Sequence, residues 1–414
     1  MALKAPSDFF YLSILQLSFA CDMLCLVAIF KLHNEQIRRI RMKMGRKRIS
    51  LLLVVVLMVS MVSLLAACNQ TPTPTPDPKP VVKTFEIALV TDVGTIDDKS
   101  FNQGAWEGVV KYAEEKGKTF KYYQPASDAK TDLLASIGLA VQGGAKIIVC
   151  PGFNFEVAIY EAQTTYKDTK FILLDGTPHT EDWKTFETKA NVKPILYAEH
   201  EAGFLAGYAS VKDGYRSFGF MGGQAVPAVV RFGYGFIQGA DYAATELALA
   251  NESIKFNYTY TGKFEATPEA QTMASGWYTA GTEVIFGCGG SLGDSVMAAA
   301  EATKKFAIGV DVDQSSESTS VITSAMKNLT KSVYDSLTEY YAGQFPGGKT
   351  MIVDVKTQGV GLPMATSKFT TFKQADYDAI YAKLVKGEVV IKTDVDVESA
   401  DALTTAKTVV TVIK

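Results

Sequence analysis

The sequence predicts an α/β protein of two doubly wound lobes behind an export signal. Three observations carry this. From Lys83 on, short apolar runs alternate with amphipathic segments of helical length. The alternation starts again near residue 198 with no charged or proline-rich linker, and a charged, apolar and small-residue leader precedes it all. Strands alternating with helices of this length argue for right-handed βαβ units and a parallel sheet.

The leader comes first. Met44-Gly-Arg-Lys-Arg48 is a compact positive run, Ile49 to Leu64 is apolar and uncharged, and Leu65-Ala-Ala-Cys68 follows. These are the three parts of a secretory signal. A cysteine directly after Leu-Ala-Ala resembles the bacterial lipobox, so residues 42–67 read as a lipoprotein signal peptide and Cys68 as the lipidated residue. A plain membrane anchor would need an apolar run of about 20 residues but no cysteine there. Residues 68–82 alternate proline with polar residues and read as a semi-rigid extended tether. Residues 1–41 hold a second apolar stretch, Phe9 to Phe30, and read as an extension upstream of a true start at Met42 or Met44.

In the body, Phe85–Thr91 reads as a strand, then Ser100–Lys116 as a helix with Ser100 as N-cap and Gly117 as stop. Strands at Phe120–Gln124, Lys146–Val149 and Lys170–Leu174 alternate with helices at Asp128–Val141 and Phe153–Tyr166. The second unit has helices at Ala198–Val211, Val226–Ala250, Pro268–Ala280 and Asp294–Lys304. Its strands are Ser217–Met221, Lys255–Tyr258, Glu283–Phe286 and Phe306–Val310. Ligands of such sheets bind outside the carboxyl ends of the strands, so two facing lobes would share one cleft that closes by a hinge.

Charge narrows the partners. The segment up to Cys68 holds nine Lys/Arg and three acidic residues, leaving 32 basic and 41 acidic residues downstream. A body that acidic is poorly suited to nucleic-acid phosphates, which need Lys/Arg neutralisation. Cys150 and Cys288 each end an apolar run and read as buried free thiols rather than metal ligands.

The stretch from Val90-Thr-Asp-Val-Gly to Ala-Trp-Glu-Gly108 runs from the first strand into the first helix, where a ligand is expected. One Gly94 makes no phosphate cradle or dinucleotide fingerprint. Instead the stretch offers carboxylates, amides and an aromatic: Asp92 to accept from hydroxyls, and Phe101 to stack on a flat ring. Asp97 and Asp98 read first as helix caps, and Asn102 as either a ligand contact or a helix-start residue.

Thr91-Asp-x-Gly-x-Ile-Asp-Asp-Lys-Ser-Phe-Asn-Gln103 with Trp106-Glu-Gly108 resembles the opening motif of the basic membrane protein (BMP) family of ABC-transporter substrate-binding lipoproteins. The resemblance continues through Phe171-Ile-Leu-Leu-Asp175, Glu201-Ala-Gly-Phe-Leu-Ala-Gly207, Gly219-Phe-Met-Gly-Gly223 and Gly235-Phe-x-x-Gly239. It ends with Gly309-Val-Asp-Val-Asp-Gln314 and Ile322-Thr-Ser-Ala-Met-Lys327. The resemblance implies a type I periplasmic-binding-protein fold, with residues 83–193 plus about 312–344 as lobe 1 and 194–311 plus about 345–414 as lobe 2. It implies a nucleoside ligand, purine foremost, and an ABC permease partner; the chain is further expected to be a monomer with no cofactor. It also implies a base held between Phe101 and Phe264 (Tyr260 as the fallback), polar edges read by Asp92, Asp175 and Asp311, and a ribose contacted by Lys327. Tyr258 to Pro268 lacks the acidic residue associated with its end in the family, and Gly287 to Gly293 differs in detail from the family's glycine turn.

The chain reads as a binding protein, not an enzyme. No His-Glu-x-x-His helix or Cys-x-x-Cys pair is present. The body's two histidines, His179 and His200, read as surface or capping residues. A ligand-dependent sensor and a nucleoside hydrolase built on scattered carboxylates are the alternative readings.

Overall fold

Fully apolar four- and five-residue runs become strands buried on both faces, and they sort into two separate sheets. A computed structural model describes residues 84–414; the proposed upstream extension, signal peptide, tether and Cys68 lie outside these residues. In chain order the described elements begin with β1 (Ile87–Val90), α1 (Phe101–Lys116), β2 (Phe120–Tyr123), α2 (Lys130–Gln142), β3 (Ile147–Pro151), α3 (Glu156–Thr165), β4 (Lys170–Leu174) and β5 (Val192–Tyr197). They continue with α4 (Glu199–Lys212), β6 (Ser217–Gly222), α5 (Pro227–Glu246), β7 (Ile254–Tyr260), α6 (Pro268–Thr279), β8 (Val284–Cys288), α7 (Leu292–Thr303), β9 (Phe306–Asp311) and β10 (Val321–Lys327). The last are α8 (Leu329–Tyr341), β11 (Met351–Val353), β12 (Val360–Gly361), α9 (Gln374–Val385) and β13 (Thr408–Val412).

The first sheet runs β11-β5-β4-β3-β1-β2 and is wholly parallel. The second runs β12-β10-β9-β8-β6-β7-β13, parallel except where β12 meets β10. The expected α/β class with two parallel sheets is therefore present. Helices cover the sheet faces, which lets parallel strands be apolar throughout.

The chain passes between the lobes three times. β5 lies in the first sheet, but α4 packs on α5 and β10 of the second lobe. β10 lies in the second sheet, but α8 packs on α1 of the first lobe. β11 then completes the first sheet before β12 returns to the second. This corrects the handover expected at about residue 312: the second sheet keeps the chain through Lys327 and the first recovers it at 351–353. Apolar pairing with β9 decides the first point, and a parallel edge against β5 the second.

Two family-like motifs have a packing cause. Gly203 and Gly207 on α4 meet Gly235 and Gly239 on α5, and a methyl group at any of the four would overlap the other helix's backbone. The helices approach as closely as backbones allow, and α5 presents Phe232 to the cleft. Two sequence readings are corrected. The helix expected over Phe153–Tyr166 opens with a 3-10 turn at Phe153–Phe155. His179 is buried, not a surface residue: its Nε2 lies 3.0 Å from Glu156 and its ring stacks on Trp183 at 3.8 Å. Cys150 and Cys288 are buried and unpaired, as expected.

Candidate functional site

The cleft forms where strand ends of both sheets converge. A cavity of about 260 Å³ is lined by all seven residues singled out from the sequence: Asp92, Phe101, Asn102, Asp175, Phe264, Asp311 and Lys327. The parallel sheets bring them together, because each follows or ends a strand, or opens the next element, on the same side.

The first-lobe wall is a hydrogen-bonded network. The Asp92 carboxylate, just past β1, accepts from the Gly94 amide at 2.7 Å and from Asn102 Nδ2 at 2.9 Å. Burial raises its pKa to about 6, against the pull of those two hydrogen bonds. Asp98 accepts from the backbone amides of Ser100, Asn102 and Gln103 at 2.9–3.0 Å, and from Asn102 Nδ2 at 3.0 Å. Asp98, not Ser100, therefore caps α1, in keeping with the capping reading for this acid. Both donors of Asn102 are engaged, while its buried Oδ1 has no hydrogen-bond partner. The residue thus acts at the helix start and also offers a spare acceptor at the cleft.

Freed from capping, Ser100 donates its hydroxyl across the cleft to Asp311 Oδ2 at 2.5 Å. The same segment holds the lobes together through Gln314 Nε2 on the Lys99 carbonyl at 2.8 Å, and through Lys99 ion pairs with Glu317 at 3.2 Å and Asp294 at 3.5 Å. Sequence reasoning missed this bridge. Ser100 stood out only as a cap, although it adjoins Phe101.

The second-lobe wall is built by packing. Phe264 sits in the turn after β7, where its ring fills the space that a Cβ on Gly223 or Gly289 would need. Gly289, with φ +140°, and Gly290 end β8 and line the cleft beside it. The fallback residue Tyr260 instead turns to Tyr258, with hydroxyls 2.8 Å apart, and does not line the cavity.

At the back stands Lys327, the last residue of β10. Its ammonium is 2.5 Å from Asp175, 3.5 Å from Asp311 and 3.7 Å from Glu199, and 4.5 Å from the Phe101 ring centroid. Burial disfavours its charge, but the three carboxylates outweigh that and hold it protonated. Burial raises the pKa of Asp311, while Lys327 and Ser100 oppose the shift. Asp175 and Asp311 occupy matching places after β4 and at the end of β9, and both have left-handed backbone, φ +58° and +67°. An aspartate tolerates that conformation better than most side chains, and it turns each carboxylate out of its sheet into the cleft. Glu199, at the start of α4, escaped the sequence reading because strand β5, which leads to it, was not recognised.

Among the described residues, five carboxylates line the cavity (Asp92, Asp98, Asp175, Glu265 and Asp311) against one cation, Lys327. No group of three or more His, Cys, Asp or Glu among the described residues is arranged to hold a metal ion. Such a wall suits a neutral, hydroxyl-bearing ligand with a flat apolar part.

Known proteins agree with this geometry. Residues 85–394 match the family model described as ABC transporter substrate-binding protein PnrA-like. The chain is 30% identical over 313 residues to the ABC transporter nucleoside-binding protein BmpA of Lactococcus lactis subsp. cremoris (strain MG1363), covering 69% of this chain and 84% of that one. It is 29% identical to basic membrane protein D of Borreliella burgdorferi (strain JD1), covering 72% and 83%. Of solved structures, an ABC transporter solute-binding protein from Aeropyrum pernix K1 superposes with TM-score 0.66 at 22% identity over 77% of this chain and 96% of that one. One from Conexibacter woesei DSM 14684 gives 0.59 at 21% identity over 75% and 99%. The two-sheet architecture is thus the type I periplasmic-binding-protein fold, and the chain belongs to the PnrA-like family of ABC transporter substrate-binding proteins.

Proposed function

We propose that this protein is a lipid-anchored extracytoplasmic receptor that binds a nucleoside, purine foremost, between its lobes and presents it to an ABC permease. The observation that carries the reading is the composition of one cleft: an aromatic from each lobe, Phe101 and Phe264, beside carboxylates and a single compensated lysine. The base stacks on the aromatics, and the ribose hydroxyls donate to Asp175 and Asp311 while accepting from Lys327. Asp92 and the free Asn102 Oδ1 supply acceptors for the base edge. The Lactococcus relative, named as nucleoside-binding, supports the ligand class.

Charge sharpens the choice between nucleoside and nucleotide. A phosphate would enter a cavity whose one cation is already engaged by Asp175, so nucleoside phosphates are rejected by uncompensated repulsion. Closure of the lobes over the ligand is favoured only by contacts to both walls, which is what the paired aromatics and the Asp175–Asp311 pair provide. Among the described residues no helix is long and apolar enough to cross a membrane; the anchor is the lipid on Cys68, with the proline-rich tether as spacer. The protein acts as a monomer and needs no cofactor.

Denaturing mass spectrometry of small molecules released from the purified protein tests this. Inosine, guanosine or adenosine is expected. A sugar, a peptide or a nucleotide in their place refutes the nucleoside assignment.

A further inference from the structure

Glu199 lines no part of the cleft, yet its side chain is 1% exposed and its Oε1 lies 3.7 Å from the Lys327 ammonium. It sits at the first turn of α4, directly after the chain has passed from β5 into the second lobe. Three carboxylates therefore share one lysine: Asp175 from the first lobe, Asp311 from the second, and Glu199 from the crossover. If all three were ionised, the buried cluster would carry two uncompensated negative charges, which a dry interior does not tolerate.

Arg231 on α5 gives little relief. It lies 3.9 Å from Glu199, and its guanidinium is engaged by Asp394 at 2.6 and 3.3 Å. The other titratable neighbours are Tyr197 on β5, Cys288 on β8 and His200 on α4 itself. Burial holds the hydroxyl and the thiol in their neutral forms and pushes the imidazole down to about 4, so none of them supplies a positive charge at neutral pH.

A proton on one carboxyl halves that excess, and the contacts favour Glu199, the one carboxyl of the three that does not line the cavity, as its holder. Asp175 has the shortest approach to Lys327, and Asp311 has Lys327 and the Ser100 hydroxyl. Glu199 has the longest contact; its Oε2 and Asp175 Oδ1 both lack a hydrogen-bond partner, but Asp175 keeps a direct bond from Lys327 on Oδ2 and Glu199 has none. Burial and the Asp175 charge push it up to about 8.

We propose that Glu199 is a positioning residue for the cleft: held as the neutral acid behind Lys327, it leaves the ammonium to the two carboxylates that line the ligand cavity. Loss of its proton sets a third charge behind the lysine, draws the ammonium back from the cleft and weakens ligand binding. The inference takes its probe from the nucleoside reading, and inosine serves as that probe.

Calorimetric titration with inosine from pH 6.5 to 9 tests it. Wild-type affinity is expected to fall about tenfold for each pH unit past the midpoint. Glu199→Gln, permanently neutral and nearly isosteric, is expected to flatten that profile, and Glu199→Ala to weaken binding at every pH. A Glu199→Gln profile as steep as wild type overturns the proposal, as does a Glu199→Gln affinity below that of Glu199→Ala. If wild type binds none of inosine, guanosine and adenosine, the nucleoside reading fails by itself. The state of Glu199 is then read without ligand, by ¹³C NMR of protein labelled at the glutamate carboxyls, with Glu199→Gln identifying the signal. A midpoint above pH 7 supports the proposal, and one below pH 6 overturns it.

Discussion

The two walls of the cleft are built on different physics. The first-lobe wall is a lattice of hydrogen bonds in which Asp92, Asp98 and Asn102 fix one another and the start of α1. The second-lobe wall is a packed ring: Phe264 rests on Gly223 and Gly289. Lys327 and the Ser100–Asp311 bond join the walls at the back. A polar network is rigid and discriminating but sensitive to any missing partner, whereas a packed aromatic tolerates variation in what it touches. The first wall is thus suited to reading a ligand's edges, and the second to covering its face.

The largest effect is expected at the join. Lys327→Met leaves Asp175 and Asp311 buried without a counter-ion and should destabilise the protein by about 3–5 kcal/mol, measured by urea unfolding. Loss below 1 kcal/mol would mean that the carboxylates are neutral without it. Next comes Asp311→Ala, which removes the acceptor of Ser100 together with a ligand contact. A loss of nucleoside affinity of about a hundredfold is expected by calorimetry, at the scale of a charged hydrogen bond. Phe101→Ala and Phe264→Ala should each cost more than about tenfold in affinity through lost stacking. Wild-type affinity in either would remove that wall from the site.

A matched pair sharpens the contrast between the walls. Gly94→Ala pushes a methyl into the Asn102 amide, and Gly223→Ala into the Phe264 ring. The first should alter the preference among inosine, guanosine and adenosine; the second should lower affinity for all three alike. The last comparison is the pH response of Asp92. Its folded pKa, raised from 3.8 to about 6, means that the native state holds this proton more tightly than the unfolded chain. Ionisation therefore costs nothing below pH 3.8, and the full cost is reached above pH 6. Asp92→Asn should gain stability over wild type across that window, by up to about 3 kcal/mol above pH 6, and the gain should vanish near pH 4 in thermal melts.

Much of the fold was legible in the sequence because parallel strands flanked by helices are apolar throughout. β1, β3, β4, β6, β8 and β9 all stand within a residue or two of the runs that announced them. β5 was not legible, because Lys193 and Pro194 interrupt Val192–Tyr197. In the fold Lys193 is fully covered and bonded to Ser336 at 2.9 Å and to Glu339, two residues of α8 far along the chain. β10 and β11 were missed for a related reason, since neither is followed by a helix of its own lobe.

The chemistry of the site was legible to the same depth. Asp92, Phe101 and Asn102 stand together in one motif, and Asp175 and Asp311 end apolar runs, whereas Phe264 and Lys327 were named through the family resemblance. Residue types and strand-end positions are properties of the local chain, so the sequence carried the α/β class, the strand-end candidates and the acidic bias of the body, while the handovers between lobes escaped it. Only the tertiary structure decided how those residues share charge and hydrogen bonds. Ser100 left its own helix for Asp311, and Glu199 became the third carboxyl on one lysine. Those choices depend on which groups meet across 100 or more residues and on how little water remains between them, and no local pattern records either.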